Sequence, residues 1–391
     1  MAGTPSPLYA LNVSGMAGVT TSLDTTMDND DDLYSVMTPE ELSETENLFA
    51  AALVINKYYL WVLFALGFPG NCAAMVTIFR MRSIGTFPVF VVLLAVMDSL
   101  ALLVKLLHYQ LIVHQVDMGD AGCCILRFLG SWTSAYSSWI LVFMALERFA
   151  AVRFPLKMTM HSGCNAHKVV MVLVVVGVVI ALIYMPLLWT NETVTAATLQ
   201  CQYKADYARF MNGVYYWVLA ALYAFLPFCL LTVFNFMIAR QIRSSLKVRS
   251  VMRNIKLLPV SQNCHDNSLQ RQRPHRNLHA IQTQVNLMLL AATGCFVLLT
   301  FPICIYMLTE PYWSTAQGYT HSNAVKFLLR QLAFVFVDST HAVNFYLYFL
   351  TARRFRHHFL RLLACRSCTC SIKSACHQAW HGSDQSELED L

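Results

Sequence analysis

The sequence carries little charge, and this scarcity excludes an ordinary soluble protein. Only 13% of its 391 residues are charged, 57% are hydrophobic, and the mean hydropathy is +0.48. Soluble domains contain about twice that share of charged residues. The chain therefore has to place most of its apolar surface against lipid.

Several functional patterns are also missing. The long hydrophobic segments contain no His-rich metal set and no nucleophile–base pair, which argues against a membrane enzyme. No internal repeat with matching broken helices appears, which argues against a multi-pass transporter, the alternative from another functional class. The first residues lack a basic region followed by an apolar core and a cleavage site, so we expect no cleaved signal peptide.

The chain instead has seven hydrophobic segments of membrane-spanning length. About 20 apolar residues cross a hydrocarbon core of about 30 Å. Such segments, numbered here as spans one to seven, run over Ala52–Phe79, Pro88–His114, Cys123–Phe143, Lys168–Trp189, Tyr215–Ala239, Val285–Leu308 and Ala324–Leu350. We predict an all-α membrane protein, a seven-transmembrane helix bundle over residues 50–350 whose third inner loop covers about 241–277.

The distribution of Lys and Arg predicts the orientation of the bundle. The first fifty residues contain neither, whereas basic residues follow spans one, three, five and seven, among them Arg80, Arg153, Arg243 and Arg353. Because cytoplasmic loops carry the excess of these residues, we expect a multi-pass plasma-membrane protein with its N-terminus outside. This topology accounts for the net charge of +6, which therefore does not indicate a nucleic-acid partner.

The N-terminal segment is acidic and polar. Residues 1–49 are expected to form a disordered extracellular tail. Asn12 in this tail and Asn191 after span four begin glycosylation sequons. Tyr34, beside a run of Asp residues, fits either a sulfation site or a plain solvated acidic tail.

The C-terminal segment predicts attachment to the membrane surface. Residues 351–364 have a basic face and place Phe355, Phe359 and Leu363 at helical spacing, which predicts an amphipathic interfacial helix. The cytoplasmic tail over 365–391 begins with candidate palmitoylation sites. These are Cys365, Cys368 and Cys370. A zinc site is the alternative, but the spacing lacks a matching second ligand pair.

Ionisable residues inside the spans are candidate functional groups, because burying a charge in lipid is costly. Asp98 lies in the middle of span two. Asp338 and His341 lie about one turn apart on span seven, on a face shared with Asn344, and predict a wet interior cavity. Nearer the outer end, basic side chains fit either a pocket or snorkelling to the interface. They are Lys105, His108 and Arg127.

Taken together, the motifs resemble those of the rhodopsin-like (class A) G-protein-coupled receptors, over roughly Ala50 to Cys370. In chain order they are Gly70-Asn71, Leu94-Ala95 with Asp98, Cys123 with Cys201, Glu147-Arg148-Phe149, Pro227, Phe296, Pro302, Asn344 with Tyr348, and Arg353-Arg354-Phe355-Arg356. Each motif is weak alone, but all occur in the expected order. The resemblance implies a receptor that passes extracellular ligand binding to heterotrimeric G proteins by helix rearrangement. Arrestin and membrane lipids are further implied partners.

The same resemblance implies roles for the residues near the two ends of the bundle. Cys123 and Cys201 would form the disulfide that holds the second outer loop over the ligand cavity, with Cys124 as a rival partner. Glu147 would hold Arg148 in the resting receptor and release it on activation to meet the G-protein α-subunit.

In the bundle interior, the resemblance implies an activation path and an ion site. Tyr348 would swing towards Arg148 as span six moves outward, with the trigger running through Phe296 and Thr300. A possible sodium pocket is the cofactor site implied here. Its residues would be Asp98, Ser137 and Asn344.

Several positions depart from the family's pattern. Span four lacks the usual Trp, and Thr300 stands where a Trp usually precedes the span-six Pro. Phe345 replaces the Pro of the Asn-Pro-x-x-Tyr pattern, and Asn235 stands where span five often has Tyr. His341 lies close to the sodium pocket and, if protonated, would oppose a cation there, which argues against bound sodium.

The ligand class is narrowed by absences. Gly130 stands where amine receptors carry an Asp, and Asp338 stands where a retinal receptor needs Lys. The outer rim is ionic, which suits a peptide with several polar ends. Its candidate ligand contacts are Lys105, His108, Arg127, Glu310, Arg330 and Asp338. The overall pattern is most similar to invertebrate neuropeptide receptors of the FMRFamide-receptor type, with a receptor for a non-peptide small molecule or lipid as the alternative.

Overall fold

Seven long helices dominate the fold. The computed structural model describes residues 38–81, 86–153, 165–195, 199–256, 268–313 and 320–364. Six spans are single helices: span one is Pro39–Arg80, span two Phe87–Val113, span three Gly119–Arg153, span four Asn165–Tyr184, span six Ser268–Thr309 and span seven His321–Thr351. Short 3₁₀ turns follow span four at Met185–Leu188 and span six at Glu310–Tyr312.

Span five is a helix interrupted by two wider turns. Its α-helical parts, Ala205–Phe210, Tyr216–Ala220 and Leu226–Lys256, are separated by π-helical turns at Met211–Tyr215 and Ala221–Phe225. The second π turn ends two residues before Pro227, which has no N–H to donate to the preceding turn. This proline therefore closely follows a wide turn in span five.

The polar side chains of the spans lie inside the bundle, among a mainly hydrophobic core, and many large apolar side chains face outward. In the described ranges, spans one, two, four, five and six are long and apolar enough to cross a membrane. Spans three and seven are also long enough, at 35 and 31 residues, but they contribute many of the buried polar side chains. Arg127, Ser137, Asp338 and His341 are each at most 3% exposed. These polar side chains point into the interior, where hydrogen-bond and charge partners are available.

Close helix contacts occur where the sequence provides small residues. A Cβ at Gly67 of span one would lie 3.0 Å from the Cα of Ala342 in span seven. On the other side of the bundle, span four has no Trp between Asn165 and Tyr184, and aromatic residues of span three pack there instead. Trp132 donates to the Gly177 carbonyl at 3.0 Å, and Tyr136 donates to the Leu173 carbonyl at 2.8 Å.

The first helix begins earlier than the sequence analysis predicts. The expected disordered tail reaches residue 49, but span one starts at Pro39, after a capping box in which Thr38 and Glu41 satisfy each other's backbone N–H groups. Phe49 is buried and packs on Phe327 of span seven, with ring centroids 6.0 Å apart. The capping box and the contact between Phe49 and Phe327 explain why the helix begins before the hydrophobic segment that is predicted to cross the membrane.

The predicted third inner loop is shorter than expected. Span five continues as helix to Lys256 and span six begins at Ser268, so both helices extend well into the range 241–277. Arg, Lys and Gln are good helix formers, and a polar sequence that leaves the membrane can continue the helix that precedes it.

A β-hairpin follows span four, where the sequence analysis predicts only a loop. Strand β1 (Asn191–Thr195) pairs antiparallel with β2 (Leu199–Tyr203), and Thr193 lies opposite Cys201. The Thr193 N–H donates to Asp120 Oδ1 at the start of span three, over 2.8 Å. The hairpin is thereby fixed at one end of the bundle, which we call the hairpin end.

The geometry of Asn191 argues against the predicted glycan there. Its side chain is fully buried, and Nδ2, the atom that would carry a glycan, donates to the Leu187 carbonyl at 2.6 Å. A sequon alone does not report this burial. Asn12, Tyr34 and the three candidate palmitoylation cysteines lie outside the described residues.

A last helix over residues 353–364 follows span seven. Phe355 is 1% exposed, and its ring centroid lies 6.0 Å from that of Tyr348 and 5.9 Å from that of Phe345. Phe345, which stands in place of the family's Pro, therefore anchors this helix to span seven. Burial and the nearby charges of His357, Arg361 and Arg354 lower the pKa of His358.

Candidate functional site

A buried ion pair joins spans two and seven in the hairpin half of the bundle. Lys105 Nζ lies 2.6 Å from Asp338 Oδ1, and the two side chains are 4% and 3% exposed. Tyr59 of span one donates to Asp338 Oδ2 at 3.4 Å. The sequence predicts both charged residues as ligand contacts, but the structure pairs them with each other. The sequence does not predict Tyr59 as part of this site, because no motif surrounds it.

Arg127 is a buried cation without a carboxylate partner in the described part of the chain. It is 2% exposed, its guanidinium carbon lies 4.5 Å from the centroid of the Tyr203 ring, and Nη1 is 3.5 Å from the Cys201 carbonyl. Within the described ranges Nε has no hydrogen-bond partner. Such burial does not match snorkelling to the interface. His108, which is 5% exposed, lies within range of the Arg127 charge.

Glu310 forms a second polar group, on the side of spans five and six. Its carboxylate accepts hydrogen bonds from Tyr216 and Tyr306, each at 3.2 Å. The positive charge of Arg330 lies within electrostatic range of both tyrosine hydroxyl groups. The guanidinium carbon of Arg330 lies 5.8 Å from the centroid of the Phe334 ring. The six predicted contacts therefore do not form one group: Lys105 pairs with Asp338, Arg127 lies near His108, and Glu310 and Arg330 share the tyrosines of spans five and six.

The hairpin is attached to span three by a disulfide. It joins Cys123 to Cys201, whose Cα atoms are 5.8 Å apart. Cys124, the rival partner, is a buried free cysteine whose Sγ lies 3.4 Å from the Asn191 carbonyl. The disulfide places Tyr203 and the Cys201 carbonyl over Arg127.

A compact polar cluster surrounds Asp98 in the middle of the bundle. His341 Nδ1 lies 2.8 Å from Oδ1, and Asn344 Nδ2 donates to Oδ2 at 2.8 Å. Ser137 also donates to Oδ1. From span one, Asn71 donates to the His341 carbonyl at 3.1 Å. The three residues of the implied sodium pocket are brought together, but with His341 among them.

These residues do not fit a sodium ion. A hard cation is held by several oxygen ligands. Here both carboxylate oxygens of Asp98 already accept hydrogen bonds, and His341 and Asn344 direct nitrogen atoms at them.

At the opposite end of the bundle, which we call the arginine end, an acid holds Arg148. Arg148 Nε lies 2.9 Å from Glu147 Oε2, and the arginine is 8% exposed. The two atoms are paired by charge without the alignment of a hydrogen bond. Thr86 donates to Glu147 Oε1 at 2.6 Å, and the Phe87 ring centroid lies 5.4 Å from the guanidinium carbon. Thr86 and Phe87 precede the hydrophobic pattern of span two, and so they were missed.

Three of the predicted activation residues are buried inside the bundle. Tyr348 is 1% exposed, and within the described ranges its hydroxyl has no hydrogen-bond partner. Phe296 is 4% exposed and Thr300 is fully buried, both in span six. Pro302 lines a groove of about 910 Å³ between spans six and seven.

Asn235, which stands where the family often has Tyr in span five, forms a polar contact with span six. Thr293 of span six donates a hydrogen bond to its Oδ1. Phe149 stacks on Phe234, with centroids 6.2 Å apart.

This arrangement defines a class of protein. Seven membrane-length helices enclose buried polar and charged side chains, with a disulfide-anchored hairpin at one end and a held arginine at the other. A family model described as the 7 transmembrane receptor (rhodopsin family) matches residues 70–358, and the chain belongs to that family of G-protein-coupled receptors. It is therefore a multi-pass membrane receptor and not an enzyme.

One similar protein is galanin receptor 2b of Danio rerio. The two are 25% identical over 146 residues, which is 36% of this chain and 38% of the fish receptor. The matched segment thus spans well under half the length of that relative.

Proposed function

We propose that this receptor responds to an extracellular peptide, of the neuropeptide class, and activates a heterotrimeric G protein. The main support is Arg127, a cation that is 2% exposed and has no carboxylate partner in the described ranges. Removing one charge from water without a partner is costly, and a peptide carboxylate or carbonyl would supply that partner with charge-assisted hydrogen bonds. The similarity to a galanin receptor also favours a peptide. The motif pattern favours the FMRFamide-receptor type.

The hairpin end is proposed to face outward. Disulfides persist in oxidising compartments, and the disulfide of Cys123 lies at this end. In this orientation the acidic N-terminal segment is outside, and the basic residues at the arginine end lie in the cytoplasm, as the positive-inside rule requires. The plasma membrane is the proposed location.

The arginine end is proposed to meet the G protein. Arg148 lies there, surrounded by exposed basic residues at the ends of spans five and seven: Arg240, Arg243, Arg353 and Arg354. The same positive surface is proposed to bind arrestin and anionic lipids. The ligand acts by binding more tightly to the state in which span six has moved outward, since only a difference in affinity shifts the populations.

A peptide screen tests the proposal directly. Cells that express the full chain would be treated with paired neuropeptides, each as a C-terminal amide and as a free acid. G-protein dissociation is the readout, and cells with the Arg148→Ala variant serve as the negative control. A response to one peptide series identifies the ligand class. A response only to lipids or small amines contradicts the peptide assignment.

Arg127→Ala is expected to weaken the response to the active peptide at least tenfold. A tenfold loss corresponds to about 1.4 kcal/mol, which a charge-assisted hydrogen bond readily provides. The measurement is the agonist concentration for half-maximal G-protein dissociation, at equal surface expression.

Arg209→Ala is the matched control for Arg127. Arg209 is an exposed arginine at the same end of the bundle, so its loss changes the local charge equally without emptying the buried site. Arg127→Lys keeps the charge but not the planar guanidinium group. It should weaken the response to peptide less than Arg127→Ala and more than Arg209→Ala. Equal potency of Arg127→Ala and the wild type would assign this arginine to packing against Tyr203.

Cys201→Ala is expected to eliminate peptide binding at the cell surface. A disulfide contributes about 2–4 kcal/mol, and this one positions the hairpin over Arg127. Cys124→Ala, which removes a neighbouring thiol and leaves the disulfide intact, should bind peptide normally. Normal binding by Cys201→Ala would refute a role for the disulfide in the site.

A further inference from the structure

The middle of the bundle contains a histidine where the family resemblance implies an ion. Asp98 is fully buried and His341 is 2% exposed, so neither carboxylate nor imidazole is solvated by bulk water. Buried polar groups need neighbours that bond to them, and in the described ranges Nε2 of His341 has none. For Asp98 those neighbours are His341 on one oxygen, Asn344 on the other, and Ser137.

The hydrogen bonds at this cluster point the wrong way for a cation. Asn344 presents its Nδ2 to Asp98, and Asn71 presents its Nδ2 to the His341 carbonyl. Both amides therefore direct their donor hydrogens into the cluster. Nδ1 of His341 lies 2.8 Å from Oδ1, so Asp98 meets a nitrogen atom at each of its two oxygens.

We propose that His341 is a built-in partner for Asp98 that takes the place of a bound sodium ion, so that the stability of this receptor is independent of sodium. The ring places a nitrogen atom against Asp98 and occupies volume between spans two and seven. Three helices are then connected at Asp98 by the protein's own side chains: span two, span three through Ser137, and span seven through His341 and Asn344.

Thermal unfolding of the purified full chain tests this without any ligand or G protein. The melting temperature would be measured in sodium chloride and in N-methyl-D-glucamine chloride at equal ionic strength. An ion that binds only the folded state raises the melting temperature as its concentration rises. We expect the wild type to melt at the same temperature in both salts. A sodium-specific rise in the wild type would overturn the proposal.

His341→Ser removes the ring and adds a hydroxyl oxygen beside Asp98. This variant is expected to be less stable than the wild type, and to gain melting temperature with sodium but not with the organic cation. Asp98→Asn in the same background removes the carboxylate, and the sodium response should disappear. If the single variant folds and still ignores sodium, the ring does not exclude the ion and the proposal is wrong.

His341→Asn is the second variant in case the serine variant does not fold. It keeps an amide that can donate to Asp98 while opening part of the ring's volume, and it should show a weaker sodium response in the same direction. The wild-type comparison needs neither variant and can overturn the proposal by itself. Because no peptide is used, failure here leaves the peptide assignment untouched, and failure of the screen leaves this result untouched.

Discussion

Replacing Arg148 with alanine is expected to abolish agonist-driven nucleotide exchange while peptide binding persists. The arginine is 8% exposed and lies 2.9 Å from Glu147, with the Phe87 ring over it, so it is held inside the bundle. In the active state it is proposed to be released towards the G-protein α-subunit. Alanine has no group that could make this contact. The measurement is guanine-nucleotide exchange in membranes, beside peptide binding on intact cells.

Arg153→Ala provides the comparison for this variant. Arg153 is an exposed arginine near the end of the same helix, so its removal deletes an equal charge from the same end of the bundle. It should leave most of the exchange activity. Full exchange in the Arg148 variant would remove this arginine from the coupling mechanism, and loss of peptide binding as well would assign it a structural role.

Lys105→Met is expected to remove most folded receptor from the cell surface. The substitution leaves Asp338, 2% exposed, with the Tyr59 hydroxyl at 3.4 Å as its remaining hydrogen-bond donor among the described residues. Breaking a buried pair in this way costs about 3–5 kcal/mol, comparable to much of the stability of a typical domain. Surface expression and the melting temperature of the purified protein both report this loss.

The double variant Lys105→Met with Asp338→Leu should recover folding. Replacing both members of a buried ion pair by apolar residues is often neutral or stabilising. Lys57→Met controls for the loss of a lysine, because Lys57 is exposed on span one. A single Lys105 variant as stable as the wild type would show that Asp338 finds another partner. A recovered double variant that no longer responds to peptide would assign the pair a role in ligand binding too.

The central cluster shows where sequence patterns stop being informative. Asp338 and His341 lie about one turn apart on span seven, and the sequence predicts that they share one wet cavity. The structure directs them to different partners, Lys105 for Asp338 and Asp98 for His341. Helical spacing gives the face on which a residue lies, but it does not say which residue of another helix lies opposite.

The amino-acid sequence by itself determined the membrane class, the number of spans, the motifs of the receptor family and the terminal amphipathic helix. These follow from hydrophobic length and helical periodicity, which are local properties. The tertiary structure alone decided that Lys105 pairs with Asp338 across 233 positions, that Arg127 stacks on Tyr203, and that the Asn191 side chain is buried. The physical reason is that lipid accepts any rotation of an apolar helix about its axis. Only packing between helices fixes which polar side chains meet.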